Sequence, residues 1–241
     1  MGEILNNGYA ISTFCYGDRY YEQTNRLIES FLELEDKPNI FIVTDNPNKI
    51  KKESWVNVND IREYNEKYQT YHTNYYDFDF SVKRYSVKFA LDNNFTKIIL
   101  SDTDVVPNNS IFSHKNILNL FINNSISSQV TYIFEDEINR NSELGNRFLH
   151  YEKKFNVKYS NQNFYMPEDC IQFLDIEKNK FNSFLNTWDE CIKIKYDENL
   201  RNIPAGNIDE MCFSAFHNGI DLKNNSGQCI KLLIPKHNKW Y

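Results

Sequence analysis

Short apolar runs separated by amphipathic segments dominate the first half of the chain. The runs are continuous rather than alternating, which is typical of strands that are buried on both faces of a sheet. Three of them are rich in β-branched or aromatic residues and cover 9–15, 40–43 and 98–100, and a fourth, short run covers 56–58. We therefore predict that these runs form neighbouring strands of one sheet.

Two segments between these runs have apolar residues at helical spacing. The first begins at about Arg19, with Asp18 as its predicted N-cap, and the second follows Ser81. Their predicted buried faces contain Leu27, Ile28, Phe31 and Leu32 in the first helix and Val82, Tyr85, Phe89 and Ala90 in the second. Strands that alternate with helices in this way predict an α/β fold with a mostly parallel central sheet flanked by helices.

The second half of the chain has a weaker pattern. Its apolar spacing predicts three further helices and three further strands, over 117–122, 181–192 and 208–219, and over 129–134, 170–175 and 230–234 respectively. The charged stretch 135–158 predicts a mixture of helix and loop. No repeat, linker or composition change interrupts the chain, so we predict a single domain over residues 1–241.

The composition argues against several classes of protein. A formal net charge of −6 does not provide the broad basic surface that nucleic-acid binding needs. No apolar run reaches the roughly 18 residues that cross a membrane, and the polar N-terminal residues lack the pattern of a signal peptide. The five cysteines are widely spaced, which is typical of reduced thiols. We therefore expect a cytoplasmic protein without a transmembrane segment.

Two carboxylates directly follow the third long apolar run. Asp102 and Asp104 come after the predicted strand that contains Ile98-Ile99-Leu100, and Pro107 is predicted to stop that strand from continuing. In open α/β sheets, ligands bind beyond the carboxyl ends of the strands. Hard divalent cations prefer oxygen ligands and often share their coordination with phosphate oxygens. We therefore predict that the two carboxylates bind Mn²⁺ or Mg²⁺. The alternative is a turn-capping Asp102 beside a solvated Asp104.

The order of these features resembles that of the GT-A glycosyltransferases. The stretches that carry the resemblance are Ser12-Thr13-Phe14, Val43-Thr44-Asp45-Asn46-Pro47, Ser81-Val82-Lys83-Arg84 and Ile98-Ile99-Leu100-Ser101-Asp102-Thr103-Asp104. The chain looks most like the retaining family 6 enzymes, the blood-group and α-1,3-galactosyltransferase family, while the retaining family 8 enzymes share the general layout. The resemblance implies a Rossmann-like GT-A domain, with a nucleotide-sugar-binding half over 1–107 and an acceptor-binding half and C-terminal tail over 108–241.

A short stretch in the second half gives candidate catalytic residues. Asn207–Met211 resembles the His-Asp-Glu segment of family 6, in which the Asp and the Glu contact the donor sugar. The resemblance therefore implies catalytic roles for Asp209 and Glu210, although Ile208 stands where that family has His. The alternative is an acidic pair in the first turn of a helix, which the helix dipole favours.

Residues at the ends of the first two strands are predicted to contact the donor nucleotide. Thr13, Phe14 and Tyr16 would lie against the base, and Asp45 would bind the base or a ribose hydroxyl. For Phe14 the alternative is an ordinary position in the hydrophobic core.

Basic residues are predicted on the phosphate side of the donor. Lys83 and Arg84 lie on the helix that precedes the two carboxylates, and a solvated helix face is the alternative for Arg84. Lys236 and Lys239 lie in a tail that is similar to the basic C-terminal tail of family 6, which folds over the donor pyrophosphate. By analogy with family 8, His237 would be a further metal ligand, and an ordinary surface histidine is the alternative.

Taken together, these features predict a metal-dependent glycosyltransferase that moves a hexose from a nucleotide-sugar, a UDP-sugar in our interpretation, to a glycan or other hydroxyl acceptor with retention. An inverting GT-A enzyme, a non-catalytic nucleotide-sugar-binding module and a nucleotidyltransferase are the alternatives. A dinucleotide-dependent oxidoreductase is disfavoured because the chain has no Gly-x-Gly-x-x-Gly sequence.

Overall fold

A computed structural model describes most of the chain. The described residues are 8–35, 37–64, 82–109, 112–122, 130–133, 143–158, 163–166, 171–197, 209–220, 222–223 and 233–235. None of the helices in these ranges is both long enough and apolar enough to cross a membrane.

The strands and helices of these ranges are numbered in chain order. The strands are β1 (Ala10–Cys15), β2 (Asn39–Thr44), β3 (Val56–Asp60), β4 (Lys97–Ser101), β5 (Val105–Pro107), β6 (Val130–Ile133), β7 (Asn163–Met166), β8 (Ile171–Asp175), β9 (Leu222–Lys223) and β10 (Leu233–Pro235). The α-helices are α1 (Asp18–Phe31), α2 (Lys83–Asp92), α3 (His114–Ile122), α4 (Glu143–Phe155), α5 (Phe181–Asp197) and α6 (Asp209–His217).

Six of the strands form one sheet in the order β3-β2-β1-β4-β8-β9. β1 is parallel to both β2 and β4, and β2 is parallel to β3. β8 runs antiparallel to β4, and β9 runs antiparallel to β8. The prediction of an α/β fold with a mostly parallel sheet flanked by helices is therefore confirmed.

Helices cover both faces of this sheet. Successive side chains of a strand point to opposite faces, so a continuous apolar run makes both faces of the sheet apolar. In β4, Ile98 and Leu100 join the buried cluster that includes Trp188 of α5 and Phe213 of α6. Ile99 points the other way, into the cluster formed with α1 and α3. The continuous apolar runs of the sequence thus serve two cores at once.

The start and end of α1 differ from the prediction. The N-cap is Gly17, and Asp18 is the first helical residue. Gly17 has φ of 79°, which glycine adopts without the steric cost that a side chain would add. The helix ends at Phe31, so Leu32 lies beyond it and is 43% exposed instead of buried.

The buried face of α2 is rotated relative to the predicted one. Val82 and Ala90 are buried as predicted, but Tyr85 and Phe89 are only half-buried, and Val87 is fully buried instead. The spacing of apolar residues shows that a helix has a buried stripe, but the neighbouring elements decide which edge of a wide stripe faces the sheet.

The prediction that Pro107 ends the strand before it is wrong. β4 already ends at Ser101, and Pro107 belongs to β5, which pairs with β10 in a separate antiparallel ribbon. Within the described residues each strand of this ribbon pairs on one side only, so a residue without an N–H group fits on the other side. The turn that carries Asp102 and Asp104 is therefore held between two strands.

Candidate functional site

The carboxyl ends of β1, β2 and β4 meet at one edge of the sheet because these strands are parallel. Asp45 is the first residue after β2, and Asp102 is the first residue after β4. This is the edge at which open α/β sheets bind their ligands.

A pocket with a cavity volume of about 170 Å³ lies at this edge. The described residues give it a charged lining of two carboxylates and two cations, from Asp102, Asp104, Lys83 and Arg19. Phe14, Tyr16, Tyr20, Gln23 and Thr103 complete the described lining. Pockets for drug-sized ligands usually measure about 300–1,000 Å³. The described residues therefore surround room for part of a nucleotide-sugar.

The pocket brings together five of the residues that the sequence singles out: Phe14, Tyr16, Lys83, Asp102 and Asp104. Phe14 is 6% exposed and also packs against Val43 and Ile61, so it serves the core and the pocket together.

Lys83 and Asp102 form an ion pair inside the pocket. Lys83 Nζ lies 2.5 Å from Asp102 Oδ1, and the two side chains are 7% and 29% exposed. A buried ammonium without a partner would cost several kcal/mol, so Asp102 is what allows Lys83 to lie there. Because Lys83 is the first residue of α2, the start of this helix fixes the cation beside the turn after β4.

Two hydrogen bonds that do not use the carboxylates stabilise the turn Asp102–Asp104. The Ser101 hydroxyl donates to the carbonyl oxygen of Asp102 at 2.7 Å, and the Thr103 hydroxyl donates to Gln23 Oε1 of α1 at 2.8 Å. Thr103 and Gln23 are both buried, whereas Asp102 and Asp104 are half-buried. The carboxylates are thus the parts of the turn that remain accessible.

Two predicted donor-binding residues lie outside the described lining of the pocket. Asp45 accepts a hydrogen bond of 2.6 Å from the phenol of Tyr21. Burial raises the pKa of Tyr21, and the bond to Asp45 raises it further, so the phenol stays protonated and keeps donating. Thr13 is fully buried within β1, and its hydroxyl has no hydrogen-bond partner among the described residues.

Arg84 also lies outside the described lining, although its neighbour Lys83 is part of it. Its Nε atom lies 2.5 Å from Asp189 Oδ1 of α5, and its guanidinium is 4.2 Å from the centre of the Tyr85 ring. The ion pair with Asp189 connects α2 to α5. The Arg84 side chain is only 16% exposed, so Arg84 does not lie on a solvated helix face, which was the alternative.

Asp209 and Glu210, the predicted catalytic residues, are buried at the start of α6 and are not among the described residues that line the pocket. Arg147 of α4 is fully buried too, and its Nη1 atom lies 2.8 Å from Asp209 Oδ1 and 3.8 Å from Glu210 Oε1. The Tyr151 hydroxyl donates to Asp209 Oδ2 at 3.0 Å. Burial raises the pKa of Tyr151 well above its usual value, and the carboxylates add to this, so the phenol stays a donor.

This arrangement gives the acidic pair a structural partner that the sequence does not reveal. Two carboxylates and one guanidinium, all buried, join α4 to α6 through charge and hydrogen bonds. A catalytic contact with a donor sugar remains a prediction for Asp209 and Glu210. Lys236, His237 and Lys239 lie outside the described residues.

The chemistry of Asp102 and Asp104 fits one mode of divalent-cation binding. Among the described residues no group of three or more His, Cys, Asp and Glu side chains comes together to hold a metal ion. Mg²⁺, however, is usually bound by one or two carboxylates together with phosphate oxygens and water, and Mn²⁺ also favours oxygen ligands. The two carboxylates fit an ion that shares its coordination with a bound phosphate.

Three residues of α1 line the pocket without having been predicted from the sequence: Arg19, Tyr20 and Gln23. One signal for Gln23 is present in the sequence. It stands four residues before Leu27 and eight before Phe31, so it continues a buried row of the helix as a polar residue. A buried polar side chain needs a partner, which Thr103 provides.

Comparisons with known proteins add little to this geometry. No protein-family model matches the chain, and no curated protein sequence matches it. Among solved structures, the apo form of mouse xyloside xylosyltransferase 1 is similar, with 12% sequence identity and a TM-score of 0.39, over 86% of this chain and 81% of that chain. Likeness at this level assigns neither a family nor an activity, and it does not support family 6 in particular.

Proposed function

We propose that this protein is a metal-dependent glycosyltransferase that moves a hexose from a nucleotide-sugar, specifically a UDP-sugar, to a hydroxyl acceptor. The observation that carries the proposal is the pocket in which Asp102 and Asp104, at the end of a parallel strand, lie beside Lys83 and Arg19. The choice of UDP and of a hexose follows from the resemblance in the sequence.

The charge pattern of this pocket suits the departure of a nucleoside diphosphate. As the bond to the sugar breaks, negative charge develops on the phosphate oxygens, and preorganised positive groups stabilise that charge. When bound to Asp102 and Asp104, Mn²⁺ or Mg²⁺ supplies such a charge to the leaving diphosphate. Lys83 and Arg19 contribute cations from α2 and α1, and the rings of Phe14 and Tyr16 offer apolar surface to the rest of the donor.

Retention at the anomeric carbon is part of the proposal and rests on the likeness of Asn207–Met211 to family 6. In the structure both Asp209 and Glu210 lie in the first turn of α6. The anomeric configuration of the product, read from its proton NMR couplings, separates retention from inversion.

One observation favours a second candidate, a non-catalytic module that binds nucleotide-sugars. The acidic pair that would act at the sugar is buried with Arg147 and Tyr151, while the predicted metal ligands line an open pocket. A protein of this kind would bind the donor without turning it over.

The test measures binding and turnover with the same protein. We expect purified protein with Mn²⁺ to bind a UDP-sugar in calorimetry and to release UDP when a hydroxyl acceptor is present. Asp102→Asn or Asp104→Asn should lower turnover by about 10²–10³-fold while the circular dichroism spectrum is unchanged.

Asp92→Asn is the matched control, because Asp92 is an exposed carboxylate that pairs with Lys88 on α2. It should leave turnover as it is. Binding without turnover of any UDP-sugar would support the binding module instead. Absence of binding to any nucleotide-sugar, or full activity of the two Asp variants, would overturn the proposed function.

A further inference from the structure

A buried hydrogen bond joins α1 to Thr103, the residue between the two carboxylates. The Thr103 hydroxyl donates to Gln23 Oε1 at 2.8 Å, across 80 positions of sequence. Gln23 is 7% exposed and Thr103 is 4% exposed. Both partners are therefore shielded from competing water along most of their surface.

The position of Thr103 makes this bond more than a general contribution to stability. Thr103 lies between Asp102 and Asp104, so a rotation of its backbone turns both neighbouring carboxylates. The Asp102 carbonyl is held by Ser101, and the residues after Asp104 enter β5, which is paired with β10. At the centre of the turn, the bond to Gln23 ties Thr103 to a different element, the helix α1.

Gln23 itself belongs to a rigid part of the molecule. In α1 it precedes Leu27 and Phe31 on the same row, and both of these are fully buried in the core. Helices that are fixed by core packing hold functional groups more accurately than loops do. The side-chain amide of Gln23 is therefore held in a fixed position, and its hydrogen bond restrains Thr103.

We propose that Gln23 is a positioning residue for the carboxylate pair: through the Thr103 hydroxyl it sets the direction in which Asp102 and Asp104 present their oxygens to a divalent cation. This inference rests on the proposed function, since it assumes that the pair binds such an ion. Partners that orient metal ligands are commonly worth about 10–100-fold in metal affinity.

The experiment measures Mn²⁺ affinity by electron paramagnetic resonance, in the absence of nucleotide, so that it does not depend on turnover. Gln23→Met removes the acceptor at nearly constant volume, and Thr103→Val removes the donor. We expect each substitution to raise the dissociation constant for Mn²⁺ about tenfold. The double variant should be no weaker than either single variant, because both changes break the same bond.

Two further variants separate positioning from stability. Thr103→Ser keeps a hydroxyl and should retain the affinity of the wild type. Thr24→Val is the matched control, since Thr24 is a fully buried polar residue of α1 whose hydroxyl donates within its own helix, to the Tyr20 carbonyl. It should lower thermal stability without changing Mn²⁺ affinity.

The outcomes distinguish the positioning role of Gln23 from the metal site of the proposed function, on which that role rests. If the wild type binds Mn²⁺ and both Gln23→Met and Thr103→Val bind it equally well, Gln23 has no positioning role, and the metal site stands. Additive losses in the double variant would also overturn the role, because the two residues would then act separately. If the wild type binds no Mn²⁺ either alone or together with UDP, the metal site fails and the positioning role fails with it.

Discussion

Lys83 is the single residue whose environment says most about how the pocket works. Without a ligand, its ammonium neutralises Asp102 from 2.5 Å. A divalent cation must compete with that ammonium for the same carboxylate, whereas an incoming diphosphate gains from it. The Lys83 side chain should therefore weaken the binding of the divalent cation and strengthen the binding of the diphosphate.

Replacing Lys83 by Met should reveal both effects. Mn²⁺ alone should bind more tightly, by about tenfold, because Asp102 no longer has a competing partner. Turnover of the UDP-sugar should fall by about 10²-fold, because a cation that faces the leaving phosphates is lost. Calorimetry with Mn²⁺ and a UDP-release assay check the two directions.

Lys88→Met is the control for the Lys83 variant. Lys88 lies on the same helix and forms an exposed ion pair with Asp92, so its loss should change neither quantity. A Lys83 variant that binds Mn²⁺ less tightly than the wild type would contradict the competition.

The sequence identifies single residues well where local pattern decides their position. Asp102 and Asp104 follow a continuous apolar run, and that run, together with the strands and helices that alternate before it, predicts a strand whose end faces a ligand. Arg19 is not predicted, because no local pattern indicates which strand end α1 faces. For Gln23 the local pattern indicates a buried polar residue, but it does not indicate the partner or the pocket. Glu210 resembles a catalytic residue in its local sequence, yet its partner Arg147 is 63 positions away in the chain and becomes visible only in three dimensions.

At the scale of elements, the contact between α4 and α6 depends on charge as well as on apolar packing. Arg147 and Tyr151 are one helical turn apart on α4 and reach the first two residues of α6. Around them lie the rings of Phe148 and Phe213, so these polar groups have little access to water. A buried pair stays favourable only while each charge keeps its partner.

Arg147→Met should therefore destabilise the protein strongly. It leaves two buried carboxylates without their cation, which typically costs about 3–5 kcal/mol at neutral pH. Tyr151→Phe removes a single hydrogen bond to Asp209 and should cost only about 1–2 kcal/mol. Urea unfolding of both variants, followed by circular dichroism, measures these differences.

The ranking of these two variants is the informative result. An Arg147→Met variant with wild-type stability would show that the acidic pair does not depend on this contact in solution. Asp209 and Glu210 would then be freer to meet a ligand than the structure indicates.

Hydrophobic patterns in the sequence predict some features of the helices and strands and not others. The existence of α1, α2, β1, β2 and β4 follows from hydrophobic spacing, and the structure confirms each of them. The face that α2 buries cannot be predicted from this spacing, because it depends on how α2 packs against α5 and the sheet. β5 escapes prediction for a different reason: a strand of three residues ending in proline is stabilised by a partner that lies far along the chain.

At the scale of the whole molecule, the pocket is assembled from segments that are distant in sequence. α1 and α2 contribute its side walls, and the turn after β4 contributes the carboxylates. Beyond that turn, Val105 pairs with Pro235, so the late strand β10 supports the segment that directly follows Asp104.

Shortening the chain tests this support. A chain that ends at residue 232 lacks β10, whereas a chain that ends at residue 235 keeps β10 and lacks only residues 236–241. We expect the shorter chain to bind Mn²⁺ about tenfold more weakly than the longer one, because β5 has lost its partner. Both should show the same helical circular dichroism signal, and equal affinities would contradict the role of β10.

The pairing of β5 with β10 also has a consequence for the order in which the protein matures. A ribosome adds about 5–20 residues per second, so on the order of ten seconds separates the synthesis of β5 from that of β10. At the start of that interval the main sheet has four of its six strands, and β8 and β9 are made before β10. Until β10 is made, β5 lacks its partner and the carboxylate turn lacks that support. A ligand that needs both carboxylates should therefore stabilise finished molecules and give little protection to chains that are still being made.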